Sequence, residues 1–250
     1  MLARQRHRMI LNMLETTQSL RTIELAKHFD VTDETIRRDL EHLDAEGKLL
    51  RTHGGCLRIE RRSINLPIQK RLTENRTSKQ EIAKKAVASI KEGETILLDA
   101  SSTVLALAEF LPDINITVIT NAHECVVPLM TKQNINVIST GGKLDRISHS
   151  YGGSTAWTFL KRFTIDKFFF SCNGVDLEKG ASEVAELHAE FKENAIPLCS
   201  EKILLCDSSK FGVRSAIFFA PIESIDYLIT DSNADQVFLE KLNATGVHVK

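Results

Sequence analysis

From about Ser78 onward the chain keeps one rhythm: a short apolar run, a polar turn, a helical stretch, then another apolar run. The runs fall at 95–99, 116–120, 136–140, 167–172, 202–207, 216–220 and 227–231. A helical pattern over 78–91 leads in, and further helical patterns at 103–111, 124–132, 154–161, 183–195 and 234–242 follow or separate the runs. A parallel strand pair needs a crossover connection, and the crossover is usually a helix. This alternation therefore predicts an α/β fold of Rossmann-like type, with ligands at the carboxyl ends of the strands.

The first sixty residues follow a different rule, reading as helix, helix, helix, hairpin. Ile10, Leu11 and Leu14 stripe the first helix. "TIELAKHF" (22–29) is a short second helix with Ile23, Leu25, Ala26 and Phe29 inward. Thr32 is a good N-cap for a third helix from about Asp33 to Ala45, and Gly47 stops it. In "VTDETIRRDLEHL" (31–43), Ile36, Leu40 and Leu43 share one face. Glu34, Thr35, Arg38 and His42 point away from it, with Arg37 on a flank. Arginine reaches guanine O6 and N7 with two hydrogen bonds, and the N–H groups at a helix start hold a phosphate. Thr32 belongs to that start. "KLLRTHGGCLRI" then forms a hairpin around Gly54 and Gly55. It carries Arg51, His53 and Arg58, with Arg61 and Arg62 beyond, which suits a wing on backbone phosphate or a minor groove. The expectation is a winged helix-turn-helix over 1–60, a charged linker with Pro67 over 61–77, and an α/β effector and oligomerisation domain over 78–250.

Composition permits this division. With 250 residues, 42% of them hydrophobic, two domains with real cores are affordable. The net charge of −1 hides a small asymmetry: residues 1–62 hold 12 Lys and Arg against 10 Asp and Glu. Neither half is a polybasic tail, so clustering matters more than the total. Five cysteines (Cys56, Cys125, Cys172, Cys199, Cys206) without C-x-x-C spacing read as reduced thiols of a cytoplasmic protein. The eight histidines never join cysteines at zinc spacing, so neither a metal nor a cofactor is expected. "MLARQRHRMI" lacks the apolar stretch of a signal peptide. No run approaches the roughly 18–20 apolar residues of a membrane span.

The turn "LLDASST" ends the first parallel run. Ser101, Ser102 and Thr103 offer hydroxyls, and their N–H groups open a helix, which makes an anion site. Asp99 can accept from sugar hydroxyls. The plain alternative is a strand–helix turn with hydroxyl caps. Other strand ends carry related chemistry: Asn121, then Gly141, Gly142 and Lys143, then Cys172, Gly174 and Asp176, then Asp207 and Lys210, then Asp231. Each alone is weak; their recurrence at strand ends predicts one crevice.

"TIRRDLEHLDAEGKLLRTHGGC" is very similar to the N-terminal signature of the DeoR family of bacterial transcription regulators. Cys56 stands where that family usually has a small residue such as Ala. The resemblance implies that Thr35, Arg37 and Arg38 contact groove and phosphate, supported by the wing around His53. The part from about Glu74 to Lys250 resembles the DeoR effector domain, related to ribose-5-phosphate isomerase and glucosamine-6-phosphate deaminase folds. By position it implies a phosphate loop at Ser101, Ser102 and Thr103, and a pocket completed by Gly141, Gly142, Asp176, Asp207 and Lys210. Lys192 matches a family lysine. "LDASST", "LPDINI" and "FSCNGVD" resemble the L-fucose activator branch, which implies a ketose phosphate from a deoxy-sugar. "DASST" replaces the commoner D-x-G-S-T.

Two functions of different class follow. One is a sugar-phosphate-responsive regulator of a sugar catabolic operon, acting as a dimer or tetramer on double-stranded operator DNA. The other is an isomerase or deaminase that carries a DNA-binding head. A structural DNA-bridging protein is a third. The absence of any Ser-His-Asp or Cys-His pairing favours the first.

Overall fold

The computed structural model describes residues 3–17, 19–45, 48–52, 54–57 and 66–250. Gly47, His53, Arg58, Arg61 and Arg62 lie outside the described residues. The chain divides into two compact units, residues 1–61 and 62–250.

The first unit contains α1 (Ala3–Thr16), β1 (Ser19–Arg21), α2 (Thr22–Phe29), α3 (Asp33–Ala45), β2 (Leu50–Thr52) and β3 (Gly55–Leu57). Ile10, Leu25, Ile36, Leu40, Leu43 and Leu49 form its core. Thr32 caps α3 as its sequence predicts: its Oγ1 accepts from the Thr35 N–H at 3.3 Å and meets the Thr35 hydroxyl at 2.9 Å. Asp30 turns the chain between α2 and α3 in the left-handed region, φ 52°, a conformation Asp tolerates better than most residues. Ile23, expected inward, is 70% exposed. The buried stripe of α2 is Thr22, Leu25, Ala26 and Phe29, at i, i+3, i+4 and i+7, and Ile23 falls off it.

The hairpin gains a third strand that the sequence pattern does not announce. β1 pairs with β3, which pairs with β2, all antiparallel. Gly55 is where β1 crosses: a Cβ there would sit 2.0 Å from the Leu20 carbonyl oxygen. Asp39, inside the run "IRRDLEH", is buried. Arg6 and His7 of α1 reach it, Arg6 Nη2 at 3.1 Å and His7 Nε2 at 2.8 Å, and so clamp α1 to α3.

The second unit contains α4 (Ile68–Thr73), α5 (Arg76–Val87), β4 (Thr95–Leu98), α6 (Ser102–Phe110), β5 (Ile116–Thr120), α7 (His123–Leu129), β6 (Ile135–Ser139), β7 (Lys143–Asp145), β8 (Ser150–Gly152) and α8 (Ser154–Leu160). It continues with β9 (Ile165–Phe170), β10 (Gly174–Asp176), β11 (Gly180–Glu183), α9 (Glu186–Ala195), β12 (Cys199–Leu205), β13 (Ile217–Ala220), β14 (Tyr227–Ile229), α10 (Gln236–Ala244) and β15 (His248–Val249). Seven strands make a parallel sheet in the order β15-β14-β12-β9-β4-β5-β6. Successive side chains alternate between its faces. Leu97, Phe168, Phe170 and Leu204 pack with α8, α9 and α10. Ile96, Leu98, Phe169, Ile203 and Leu205 pack with α5, α6 and α7. Covering helices on both faces explain why these strands read as unbroken apolar runs.

Three expectations change. The run 216–220 is a strand, but it joins an antiparallel sheet of order β10-β11-β13. The helix expected from Glu183 starts at Glu186, because Gly180–Glu183 is strand β11. Much of the stretch read as linker is built into the second unit. Ile68 is buried and its N–H donates to the Ile147 carbonyl at 3.0 Å. Asn75 Nδ2 donates to Asp207 Oδ1 at 3.1 Å.

Candidate functional site

In the first unit, α3 presents Arg37 and Arg38 to solvent from its N-terminal half, with Thr35 partly exposed two residues before Arg37. Arg38 Nε lies 3.3 Å from Glu34 Oε1 in an i,i+4 pair whose side chains are 76% and 63% exposed. So open a pair leaves Arg38 available at little cost. Arg51 on β2 donates to Glu41 Oε1 at 3.0 Å, and its N–H to Asp44 Oδ1 at 2.9 Å, which ties the wing to α3. Arg37, Asp44, Arg51 and Thr52 line one open concavity. The Thr32 hydroxyl serves α3 as its cap.

In the second unit the carboxyl ends of the parallel strands meet the start of α6. Ser101 caps α6 by accepting from the Val104 N–H at 3.1 Å. Ser102 and Thr103, both buried, occupy its first two positions, where N–H groups have no partner within the helix. Asp99 is fully engaged: it accepts from the Ser101 N–H at 3.0 Å and the Ser171 N–H at 3.1 Å, and Lys192 Nζ lies 3.1 Å away. Lys192, on α9, also donates to the Ser171 carbonyl at 2.6 Å and to Glu183. An ammonium has three donors, so all of them are directed inward. Burial works against the Lys192 charge, but Glu183 and Asp99 outweigh it and hold the pKa above the ordinary lysine range.

At the end of β12, Asp207 accepts from Asn75 and from the Ser209 N–H at 3.2 Å. Lys210 lies 3.7 Å from its other oxygen and donates to Ser171 Oγ at 3.3 Å. Burial opposes the Lys210 charge, and Asp207 outweighs it. Asp231 caps the neighbouring turn, accepting from the Ser208 N–H at 2.7 Å and the Ser78 hydroxyl at 3.1 Å. Asn121, at the end of β5, donates to the Tyr151 carbonyl at 3.0 Å.

Not every predicted residue joins this group. Asp176 stands on the antiparallel sheet, where Arg214 holds it through Nε at 2.6 Å and Nη2 at 3.1 Å. Gly174 is there because Val213 approaches closely; a Cβ would meet its carbonyl oxygen at 2.2 Å. Cys172 is buried with its sulfur 3.8 Å from that of Cys206. All five cysteines are free and buried. Gly142, at φ 116°, lets the chain pass the Gly152 carbonyl and α8, and Gly141 is at φ 64°. Lys143 is exposed on the β7–β8 hairpin. Among the described residues no group of three or more His, Cys, Asp or Glu is placed to hold a metal ion.

Four groups that act on Asp99, Lys192 or Asp207 escape a sequence reading: Arg71, Lys79, Glu183 and His188. Arg71, on α4, is buried enough to lower its pKa, against the pull of Glu183, Asp99, Asp145 and Glu74. Lys79, buried and near Lys210, is pushed down to about 8; its ammonium donates to the Glu74 carbonyl at 2.7 Å and to that of Arg71. The available signal for α4 is faint: Ile68 and Leu72 at i,i+4 inside a charged stretch. Seven buried side-chain polar atoms lack a hydrogen-bond partner among the described residues. Six of them are Arg71 Nε and Nη2, Thr103 Oγ1, Asn121 Oδ1, His188 Nε2 and Asp207 Oδ2. Thr103, Asn121 and Asp207 lie at the strand ends or at the start of α6, and Arg71 and His188 both feel the charge of Asp99.

A winged helix-turn-helix head joined to a parallel α/β sensing unit defines a DNA-binding transcriptional regulator. The DeoR-like helix-turn-helix domain matches residues 6–62, and the DeoR C-terminal sensor domain matches residues 74–232. The chain is 39% identical to the uncharacterized HTH-type transcriptional regulator YulB of Bacillus subtilis (strain 168), over 100% of this chain and 96% of that protein. It is 36% identical to the L-fucose operon activator of Escherichia coli (strain K12), over 90% of this chain and 94% of that protein. Among solved structures it is similar to ribose 5-phosphate isomerase A from Methanocaldococcus jannaschii, at 19% identity and a TM-score of 0.41, over 55% of each chain. The chain belongs to the DeoR family. No helix of the described residues is long and apolar enough to cross a membrane.

Proposed function

We propose that this protein regulates a sugar catabolic operon, and that a sugar phosphate bound at the strand ends sets its affinity for operator DNA. One observation supports the sensing half: among the described residues, the buried polar atoms without a hydrogen-bond partner include Thr103 Oγ1, Asn121 Oδ1 and Asp207 Oδ2 at the strand ends or the start of α6, with Arg71 and His188, which act on the same Asp99. Each such atom costs about 1–3 kcal/mol, and native proteins keep few of them. A polar ligand that completes them accounts for the cluster.

Its chemistry follows from theirs. Nε and Nη2 of Arg71 are two parallel donors that match an oxyanion, and the start of α6 favours negative charge through its N–H groups and dipole. Ser101, Ser102 and Thr103 form the phosphate loop. Asn121 Oδ1 and Asp207 Oδ2 accept from hydroxyls. Lys210 and Gly141 border the pocket, while Asp99 and Lys192 position its floor. The name L-fucose operon activator, borne by a relative, makes a ketose 1-phosphate derived from a deoxy-sugar the first ligand to test.

On the head, Thr35, Arg37 and Arg38 read groove and phosphate, Thr32 sets the helix start, and Arg51 with His53 forms the wing contact. Two heads on paired half-sites require at least a dimer, which the second unit supplies, in the cytoplasm. The effector is bound and released unchanged. Enediol chemistry needs a base about 3 Å from the abstracted proton. The oxygens of Asp99 and Asp176 are engaged by N–H groups, Lys192 and Arg214.

Arg71→Ala is expected to weaken sugar-phosphate binding roughly 10–150-fold, the value of about 1.5–3 kcal/mol for a charge-assisted hydrogen bond, with operator binding kept. Ser102→Ala with Thr103→Ala blunts the same response. Isothermal titration checks both; an unchanged isotherm removes the phosphate loop from the site. Product formed from a sugar phosphate at even ~1 s⁻¹ contradicts the reading of a sensor without turnover.

A further inference from the structure

We infer that His188 reads a hydroxyl on the carbon chain of the effector, and so decides which sugar phosphate is accepted. This rests on the sugar-phosphate reading above. His188 lies on α9, four residues before Lys192 and therefore on the same helix face. It is 6% exposed, and its Nε2 is buried without a hydrogen-bond partner among the described residues. Its electrostatic neighbours are those of the crevice: Glu183, Lys192, Arg71 and Asp99 all act on its charge, and Asp145 feels it in turn.

Those neighbours fix what the ring can recognise. Burial holds the imidazole below its ordinary pKa; Lys192 and Arg71 push the same way, and Glu183 and Asp99 do not overcome them. The ring is neutral, with one N–H and one lone pair. Against a phosphate it is a poorer partner than Arg71, which carries a charge and a two-donor fork. Against a hydroxyl, itself donor and acceptor, a neutral ring fits in either tautomer. Of the two carboxylates that act on it, Asp99 is engaged by two N–H groups and Lys192, and Glu183 accepts from Lys192 through Oε1. The anion and the carbon chain are thus recognised by different residues, Arg71 and the start of α6 for one, and His188 beside Asn121 and Asp207 for the other. A buried group built to bond a hydroxyl rejects an analogue lacking it far more strongly than an apolar pocket rejects a methylene.

The test uses the full chain and three kinds of probe: inorganic phosphate, a panel of ketose 1-phosphates, and single-deoxy counterparts of the tightest binder. In His188→Gln the amide nitrogen reaches about as far as Nε2; in His188→Asn it falls short. The Asn variant is expected to lose roughly tenfold or more in affinity for the best ketose phosphate and to lose its preference over one deoxy counterpart. The Gln variant recovers most of both, and inorganic phosphate binds all three proteins alike. In the unmutated chain, the ¹⁵N resonance of His188 Nε2 shifts with the ketose phosphate and not with inorganic phosphate, which decides the matter even if a variant fails to fold. An Asn variant that keeps the wild-type ranking, or an unmoved resonance, overturns the role of His188 alone. A wild-type chain that prefers no sugar phosphate to inorganic phosphate overturns the sensing reading and His188 with it.

Discussion

Lys192→Met is expected to destabilise the second unit by about 3–5 kcal/mol, the usual cost of removing one partner from a buried ionic cluster. The side chain is 3% exposed, and its charge faces Asp99 and Glu183, themselves 1% and 9% exposed. Methionine fills the volume, so the loss isolates the two carboxylates that remain. Neither can return to water. With roughly 2–4 °C per kcal/mol for a unit of this size, the melting temperature should fall on the order of 10 °C. The pH dependence has a definite sign. The lysine pKa is raised on folding, so its contribution is complete at neutral pH and is lost only as pH climbs past that raised value, above about 10. Thermal melts of variant and wild type between neutral and alkaline pH check both statements. A variant that melts within about 2 °C of wild type, less than a 1 kcal/mol change produces, removes Lys192 from its structural role.

Arg38→Ala is expected to weaken operator binding roughly 5–150-fold, equivalent to the ~1–3 kcal/mol of one good base contact, and to leave sugar-phosphate binding unchanged. The bond given up within the protein is the open pair with Glu34, worth a few tenths of a kcal/mol in a helix. Any loss in affinity is therefore a loss of DNA contact and not of folding. The contrast with its neighbour Asp39 is instructive: two positions in the same charged run, one open to solvent and one buried under Arg6 and His7. Fluorescence anisotropy with a duplex selected from random sequence by the full chain, repeated at several salt concentrations, separates base from phosphate contact. A base contact changes sequence preference; a phosphate contact lowers all affinities and reduces the salt slope by about one. Equal loss of operator and effector binding contradicts the assignment of the two tasks to separate units.

How much of this was legible in the sequence depends on how local the cause is. The bounds of α3 could be read because Thr32, Ile36, Leu40 and Leu43 decide them within three turns. The inner parallel strands β4, β5, β9 and β12 could be read because burial on both faces writes each as an apolar run; β6, at the sheet edge and only partly buried, is legible from Val137 and Ile138. Strand 217–220 looks the same, yet pairs antiparallel, since partner choice is made by β11 and is absent from the run itself. β1 has one buried residue, Leu20, too little to make a pattern. Asp176 sits at the end of an apolar stretch like Asp99 and Asp207, but Arg214, 38 residues away, holds it elsewhere. Arg71 and Asp39 were hidden for one reason: each sits in a run of charges, which reads as solvated, yet tertiary packing buries Asp39 and covers Nε and Nη2 of the Arg71 guanidinium. The proposed phosphate loop, by contrast, lies within five residues of sequence, while the other groups of the proposed site come from β5, β12, α4 and α9.

The affinity of the full chain for its selected duplex, measured with and without a saturating sugar phosphate already shown to bind, tests the proposed linkage most directly. The account predicts a change of about 5–150-fold, a coupling of roughly 1–3 kcal/mol, in either direction, and the same factor in the effector's affinity when DNA is present. Identical operator affinity in the two conditions, with the ligand demonstrably bound, contradicts it.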